Sequence, residues 1–407
     1  MRIAFLSVSA KMGGSEMMLR QILRELRAAN PGWDLHLVVP SAGPLAVDAS
    51  ALGVSVHEVA MPESLRTLGE WATGRRRPLT LAARLSHAAL GVPGYSRRLG
   101  RTLAAIGADV IHTNGFKAHV VAARARGFGA GLVWHMHEYV AGRPVTRALV
   151  RRYARRCQSL VAVSESVAAD LRSVAGADLP VRAIHNAVDL DRFAPAGRAA
   201  DLDGLAGLAA APPGTVRVGL VATFSRWKGH EVFLRALAAL PEPSRVRGYV
   251  VGGAVYDTAG SQHSREELTA LAAELGIAHR VGFTGFVAAP DEAIRALDVV
   301  VHASTDHEAF GLVIAEAMAC GRPVVTSGTG GSAELIRDGE DAITHRAGDA
   351  EDLAARIAML AADEPLRRRL GGSARETAAR RFDAHRLAGQ FAAVYENAAR
   401  ERTGASR

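Results

Sequence analysis

Short apolar runs alternate with amphipathic stretches along most of the chain. Residues 2–8 read as a buried strand. Residues 16–29 follow with helical spacing, Met17, Leu19, Ile22, Leu23 and Leu26 recurring every three or four positions. Further strands are expected at residues 35–39, 54–59, 110–112, 131–135, 159–163 and 181–185, with helical patterns over 79–105, 120–126, 145–156 and 165–173 between them. Residues 194–214 are rich in Ala, Gly and Pro and have no clear period, so an inter-domain connection and a mobile surface segment are expected there. The alternation then restarts, with strands at 216–222, 246–251, 281–283, 299–302 and 323–326. Helices are expected at 230–240, 264–275, 351–360, 365–381 and 384–400. Strand and helix in alternation predict an α/β protein whose parallel sheets are covered on both faces. Two doubly wound domains follow, and open sheets of that kind bind ligands beyond the carboxyl ends of their strands. Functional residues are therefore expected just after strands.

A length of 407 residues agrees with two or three domains. With 49% hydrophobic and 22% charged residues, a sizeable core is available. No run approaches the roughly 18 apolar residues of a membrane-spanning helix. Residues 1–8 lack the pattern of a signal peptide. Two cysteines, Cys157 and Cys320, exclude a disulfide framework and favour a reducing, cytoplasmic setting. Charge changes the picture more than composition does. Residues 1–190 carry 24 Lys and Arg against 13 Asp and Glu, a net +11, whereas the remainder is −3. That asymmetry points to an anionic partner for the front half. Arg143, Arg147 and Arg151 recur every four residues, and Arg152, Arg155 and Arg156 widen the stripe into a basic amphipathic helix. Arg75–Arg77, Arg97 and Arg98 add charge in the same half.

The most informative stretch runs from Ser304 to Pro323. A helix is expected to start near Phe310 or Gly311 and to end at Gly321, a favourable C-terminal cap. Glu316 is the only charge between Leu312 and Cys320, and a carboxylate on so apolar a helix needs a partner to offset its desolvation. Glu308 lies just before the helix, where free backbone N–H groups favour an anion. On residue type alone, Glu308 could equally be a helix cap and Glu316 half of a buried salt bridge. Lys228, in Arg226-Trp227-Lys228-Gly229, is one of only three lysines. It could bind phosphate as a point charge or sit solvated at a helix start. Gly13-Gly14, after the first strand, allows close backbone approach to a ligand or makes a plain turn. It lacks the three-glycine dinucleotide fingerprint. His135, Met136, His137 and Glu138 end another strand. Their spacing is poor for a metal on one helix face, and no metal site is expected.

In this order the motifs resemble the retaining glycosyltransferases of family 4. The resemblance rests on Glu308 and Glu316 eight apart, Phe310-Gly311 after the first, and Glu316-Ala317-Met318-Ala319 with Gly321 and Pro323 around the second. Gly13–Glu16, Asn186–Phe193, Lys228-Gly229, Val281–Phe286 and Gly330–Glu334 extend it over nearly the whole chain. The resemblance implies the GT-B fold, two Rossmann-like domains facing a central cleft. Residues 1–190 would bind the acceptor and 191–380 the nucleotide sugar, with a C-terminal helix, 381–407, packing back toward the first domain.

It also implies roles. Glu316 would accept both ribose hydroxyls, Glu308 the sugar hydroxyls, and the N–H groups of Phe310, Gly311 and Leu312 would meet phosphate or sugar. Lys228 would bind the diphosphate, Phe283 belongs to the base-binding strand, Gly14 to the first glycine loop, and His137 would touch the transferred sugar. Thr223 stands where the family often has Arg, so Arg226 is expected to substitute. Lys11, Glu16 and Asn114 are acceptor-side candidates. The activity implied is retaining transfer of a hexose from a UDP-sugar, or secondly a GDP-sugar, to a hydroxyl such as a lipid-linked or polysaccharide precursor. It needs no cofactor and no essential divalent metal. The charge pattern adds contact with an anionic membrane at the inner face. An epimerase of the same architecture, or a non-enzymatic anion or nucleic-acid binder, are the competing classes. The latter lacks an aromatic-rich module, so no nucleic acid is expected.

Overall fold

Every strand pair in the two sheets is parallel. The computed structural model describes residues 1–9, 12–66, 78–255 and 260–404; Lys11 and Arg75–Arg77 lie outside them. Among the described residues, those up to Ala187 and those from Ala384 onward form one compact unit, and Val188–Asp383 forms the other.

In the first unit the strands are β1 (Arg2–Ser7), β2 (Asp34–Val39), β3 (Ser55–Glu58), β4 (Val110–Asn114), β5 (Gly131–Met136), β6 (Ser159–Ala162) and β7 (Val181–Ala183). Their order is β3-β2-β1-β4-β5-β6-β7. The chain winds outward from β1 through β3, then returns to β1's other side at β4. The direction of winding switches there, and Ser7 stands beside Asn114 in register. That point, outside the carboxyl ends of β1 and β4, is where a doubly wound sheet leaves a crevice. Phe5, Ile111, Val133 and Leu160 are fully buried, because helices cover both faces and a sandwiched strand has no solvent side. One of those helices, Arg386–Gly404, comes from the C-terminus. It lies so close to β5 that a Cβ on Gly131 would fall 2.5 Å from the Ala398 carbonyl oxygen. Tyr395 bonds His112 Nδ1 at 2.9 Å, and Phe391 packs on His135.

In the second unit the strands are β8 (Val216–Val221), β9 (Val246–Val251), β10 (Val281–Gly285), β11 (Val299–His302), β12 (Val324–Thr326) and β13 (Ile343–Thr344), in the order β10-β9-β8-β11-β12-β13. The winding switches between β8 and β11. Val218, Leu220, Phe233, Val299 and Leu353 form the heart of its apolar core.

The stretch 194–214 corrects the expectation of a mobile segment. It contains a short helix, Leu202–Ala206, capped by Asp201. Buried Asp203 anchors it to the sheet, accepting from Tyr249 Oη at 2.5 Å, Arg247 at 2.6 Å and Arg217 at 3.1 Å. A carboxylate with several donors, two of them cationic, offsets its burial, and these partners hold the Asp203 carboxyl well below the usual range although burial alone would raise it. The partners lie on β8 and β9, which local sequence does not connect to Asp203.

Candidate active site

The second unit's crevice is built from the segments that leave β8 and β11. After β8 the chain makes a tight turn, Arg226–Lys228, and Gly229 follows with φ +78°. A Cβ there would lie 1.9 Å from the Ala303 carbonyl oxygen, so only glycine lets this turn press against the end of β11. The turn is pinned from the other side by the Thr305 N–H, which donates to the Trp227 carbonyl at 2.8 Å. Lys228 Nζ then reaches Glu308 Oε2 at 2.5 Å and lies 4.0 Å from the centre of the Trp227 ring.

Glu308 is held from both sides of its backbone. Its N–H donates to Thr329, and its carbonyl accepts from Gly331 at 2.8 Å. Its carboxylate is buried, at 8% exposure for the residue. Besides Lys228, His302 Nε2 lies 3.1 Å and Ser304 Oγ 3.2 Å from the same oxygen. Burial would raise the Glu308 carboxyl, but the Lys228 ammonium and the His302 hydrogen bond more than offset it and hold it well below the ordinary range.

The helix that follows is Leu312–Ala319, with Gly311 as its N-cap at φ +90°. It begins after Phe310 and Gly311 rather than at them. Glu308 is therefore ahead of the first turn, and Leu312 is the first helical N–H. The Phe310 ring is buried edge-on against Phe382 at 6.0 Å, so Phe310 can offer a ligand only its backbone. Phe283 likewise packs its ring in the core while its carbonyl accepts from Arg265. Glu316, on the second turn of the helix, is also 8% exposed. No side-chain hydrogen bond reaches it among the described residues. Burial pushes its carboxyl up to about 7, partly opposed by Arg192 and reinforced by Asp291. Arg192 is itself spoken for, with its Nε 2.9 Å from Asp291 Oδ1. Of two carboxylates eight residues apart, one is thus held ionised and the other is about half protonated near neutrality.

Arg226 departs from expectation. Its guanidinium turns toward Glu267 at 3.2 Å, the Gly260 carbonyl and His263, not toward the Lys228–Glu308 pair. Two carboxylates, Glu231 and Glu267, on neighbouring helices attract it outward. Thr223 bonds Ser225 instead of supplying a cation.

The first unit's crevice gathers Gly14, Glu16, Asn114 and His137. Gly13 caps the helix Gly14–Ala29, and a Cβ on Gly14 would meet nothing within 4 Å, leaving room at the helix start. Glu16 closes that start upon itself, its carboxylate accepting from Gly13 N–H at 3.2 Å and Ser15 Oγ at 2.9 Å. Burial raises its carboxyl. Asn114, at the end of β4, donates Nδ2 to the Ser15 carbonyl at 3.2 Å. A carbonyl can only accept, so the amide's orientation is fixed and Oδ1 faces His137 Nε2 at 2.7 Å. Nε2 must then carry the proton. Burial pulls the His137 imidazole down to about 4, so it is neutral and its Nδ1 holds the lone pair. His135, by contrast, is a buried neutral ring in the core beside Phe391. Among the described residues no group of three or more His, Cys, Asp or Glu could hold a metal ion.

Sequence reasoning missed His302, Ser304 and Thr326 around Glu308, and Arg192 and Asp291 beside Glu316. The one available signal was a polar residue, His302, closing an otherwise all-valine strand.

Two parallel-sheet Rossmann-like units, each with polar residues gathered at the switch point, define the GT-B architecture. HepE of Anabaena, solved in complex with UDP-glucose, is similar in fold with a TM-score of 0.76 and 26% identity, over 97% of this chain and 98% of that one. Residues 12–192 match the family model described as Glycosyltransferase Family 4, and residues 210–377 that of Glycosyl transferases group 1. The chain belongs to glycosyltransferase family 4. It is 35% identical over 256 residues to a D-inositol 3-phosphate glycosyltransferase of Xylanimonas cellulosilytica, covering 60% of this chain and 58% of that relative. To one from a Mycobacterium species it is 40% identical over 184 residues, covering 44% and 39%. The match thus spans about two fifths to three fifths of these relatives' lengths.

Proposed function

We propose that this glycosyltransferase takes its sugar, a hexose, from a nucleoside diphosphate sugar and transfers it to a hydroxyl with retention of configuration. UDP is the first choice of nucleotide, in keeping with HepE, and GDP the second. The observation that carries the reading is the meeting of Lys228, Glu308 and the helix start at Leu312 at the ends of β8 and β11, with Glu316 one turn further on. Each offers what one part of such a donor needs. Lys228 and the N–H groups at the helix start suit a diphosphate. Glu308 suits sugar hydroxyls. Glu316 lacks the donors its burial calls for, and a ribose has two adjacent hydroxyls.

In the transfer, the bond from the anomeric carbon to the diphosphate oxygen breaks and a bond to the acceptor oxygen forms on the same face. The acceptor's proton passes to the departing diphosphate. The protein's part is positioning and stabilisation of the leaving group, with Lys228 as the cation in place of an essential divalent metal. Glu308 is unsuited to be a covalent nucleophile, because Lys228, His302 and Ser304 all draw on the same oxygen. In the first unit, His137 offers its Nδ1 lone pair to a ligand hydroxyl. The acceptor is anionic or membrane-borne, a precursor of a polysaccharide or lipid-linked saccharide at the cytoplasmic face. Arg147, Arg151 and Arg152 support this, being exposed and without an ion pair among the described residues. No helix among the described residues is long and apolar enough to cross a membrane, so such contact would be peripheral.

A thermal-shift panel of UDP-, GDP- and ADP-sugars tests the donor. Nucleotide release in the presence of hydroxyl acceptors, inositol 3-phosphate among them, tests the transfer, and the product's anomeric configuration by NMR tests retention. No stabilisation by any nucleotide sugar would refute the reading.

A further inference from the structure

Lys228 holds two obligations that conflict. In this structure its ammonium is the chief partner of Glu308, at 2.5 Å. In the function proposed above, on which this inference rests in part, the same ammonium binds a diphosphate. Once two phosphate charges draw it away, Glu308 is left as a buried carboxylate without its ammonium partner. Such a group takes up a proton unless other donors hold its charge. A protonated Glu308 would turn one acceptor site into a donor and accept more weakly from sugar hydroxyls.

The residues behind Glu308 supply those donors. His302 ends β11, with its Nε2 3.1 Å from Glu308 Oε2. Its Nδ1 lies 3.0 Å from Thr326 Oγ1 on β12, and His302 and Thr326 are paired in register. A carboxylate only accepts, so the ring nitrogen that faces Glu308 carries the hydrogen and Nε2–H donates to Oε2. In the neutral ring Nδ1 then accepts from the Thr326 hydroxyl, whose oxygen also accepts from the Gly328 N–H at 3.2 Å. Ser304 Oγ adds a second donor at 3.2 Å. His302, Ser304 and Thr326 are all buried, so none of these bonds competes with water. The other titratable groups facing this set are Lys228 itself and His345, whose N–H donates to the Thr326 carbonyl. His345 is buried, and burial lowers its imidazole, which disfavours a charge there.

We propose that His302, oriented by Thr326, is a positioning residue that keeps Glu308 ionised and aimed when a diphosphate engages Lys228. It acts through Glu308 and does not itself meet the substrate.

Lys228→Met mimics the state in which the ammonium has left, and it needs no ligand. Infrared difference spectra, with Glu308→Gln in the same background subtracted, report whether Glu308 is a carboxylate or an acid. In Lys228→Met the carboxylate band should persist to mildly acidic pH. Adding His302→Phe should move the midpoint of protonation up by at least about one pH unit. His302→Gln, whose amide nitrogen can reach the Nε2 position, should restore most of the shift, which a merely space-filling role for His302 would not predict. If the Phe variant fails to fold, Thr326→Val should move the midpoint in the same direction by less. Equal midpoints with and without these changes overturn the proposal. A second arm measures UDP-glucose affinity with Lys228 intact. The ratio of wild-type to His302→Phe affinity should grow about tenfold as pH falls from near 8 toward 5.5, while Glu316, common to both, cancels. A ratio independent of pH, with Glu308→Gln still weakening UDP-glucose, refutes the role of His302 alone. If Glu308→Gln has no effect on UDP-glucose at any pH, the sugar-binding reading falls instead.

Discussion

Replacing Glu316 by Gln should stabilise the ligand-free protein at neutral and alkaline pH. The Glu316 carboxyl stands at about 7 against an ordinary value of 4.5. A group that binds its proton more tightly folded than unfolded contributes stability below its unfolded value and loses it as pH rises through the folded one. The loss therefore accumulates between about pH 4.5 and 7 and levels off above. At about 1.4 kcal/mol per pH unit it amounts to about 3 kcal/mol. Gln has the same shape and cannot ionise. It carries an amide with its own burial cost, but that cost does not vary with pH. The informative quantity is thus the difference between the two proteins as a function of pH. Glu308 adds no slope above about pH 6, since it is ionised in both states there. The buried histidines titrate on unfolding, but equally in both proteins, and cancel. Urea denaturation followed by tryptophan fluorescence, at pH values from about 5 to 8, gives the difference directly. At the upper end it corresponds to about 6–12 °C in melting temperature for a unit of this size. Parallel stability curves would refute the claim that Glu316 is held by burial without compensating partners. The same substitution should weaken UDP-glucose by about 1–3 kcal/mol if two charged hydrogen bonds are lost.

The remaining expectations are simpler. UDP-glucose has no phosphate ionisation near neutrality, so its binding at about pH 6.5 should release protons as ribose hydroxyls favour the Glu316 carboxylate. Calorimetry in buffers of differing ionisation enthalpy reads this, and the effect should vanish in Glu316→Gln. Gly229→Ala should destabilise the second unit by several kcal/mol, because its Cβ cannot avoid the Ala303 carbonyl and its φ is positive; an unchanged urea midpoint would contradict the close approach. Arg151→Gln with Arg152→Gln should weaken binding to phosphatidylserine vesicles by about 30-fold at low salt, at about 1 kcal/mol per charge. No binding of the parent chain at low salt would leave a soluble acceptor as the better reading.

The sheets were legible because their central strands are near-continuous apolar runs, as in Val299–Val301, and most are followed by a 3.6-period stretch. Edges were less legible. Strand β13 has two residues, and the helix Pro290–Arg295 has six, too few to show a period. Asp203 could not be read as an anchor, since its partners Arg217, Tyr249 and Arg247 lie 14 to 46 residues away. Lys228 and Glu308 were legible as chemistry, but their ion pair was not, because it spans 80 residues. The arginine stripe shows the opposite error. Arg143 pairs with Glu138, Arg155 with Asp178, and Arg156 donates to the Ala123 carbonyl. Arg27, Arg124 and Arg172 sit in the last turns of their helices, where a cation meets the negative end of the helix dipole. Part of the front half's +11 is therefore local helix chemistry rather than a surface for a partner.

Glu308 and Glu316 differ in what the fold has done for each. Glu308 is surrounded by Lys228, His302 and Ser304 before any ligand arrives, so its charge is already compensated. Binding there must exchange partners, and a ligand gains only the difference between what it offers and what it displaces. Among the described residues no side-chain hydrogen bond reaches Glu316, and Arg192, the cation that acts on it, is committed to Asp291. A ligand that brings two hydroxyl donors meets an unsatisfied group and recovers much of its burial cost, so Glu316 yields more affinity per hydrogen bond than Glu308 can. Nucleotide should therefore bind nearly as tightly as nucleotide sugar, with the sugar contributing orientation rather than affinity. That division suits a transferase, because energy withheld from the bound sugar remains available as the bond to the diphosphate breaks. The instability at Glu316 and the preorganisation at Glu308 are, on this argument, two parts of one arrangement: the first anchors the donor by its nucleotide, and the second keeps a charge fixed where the sugar must be aimed.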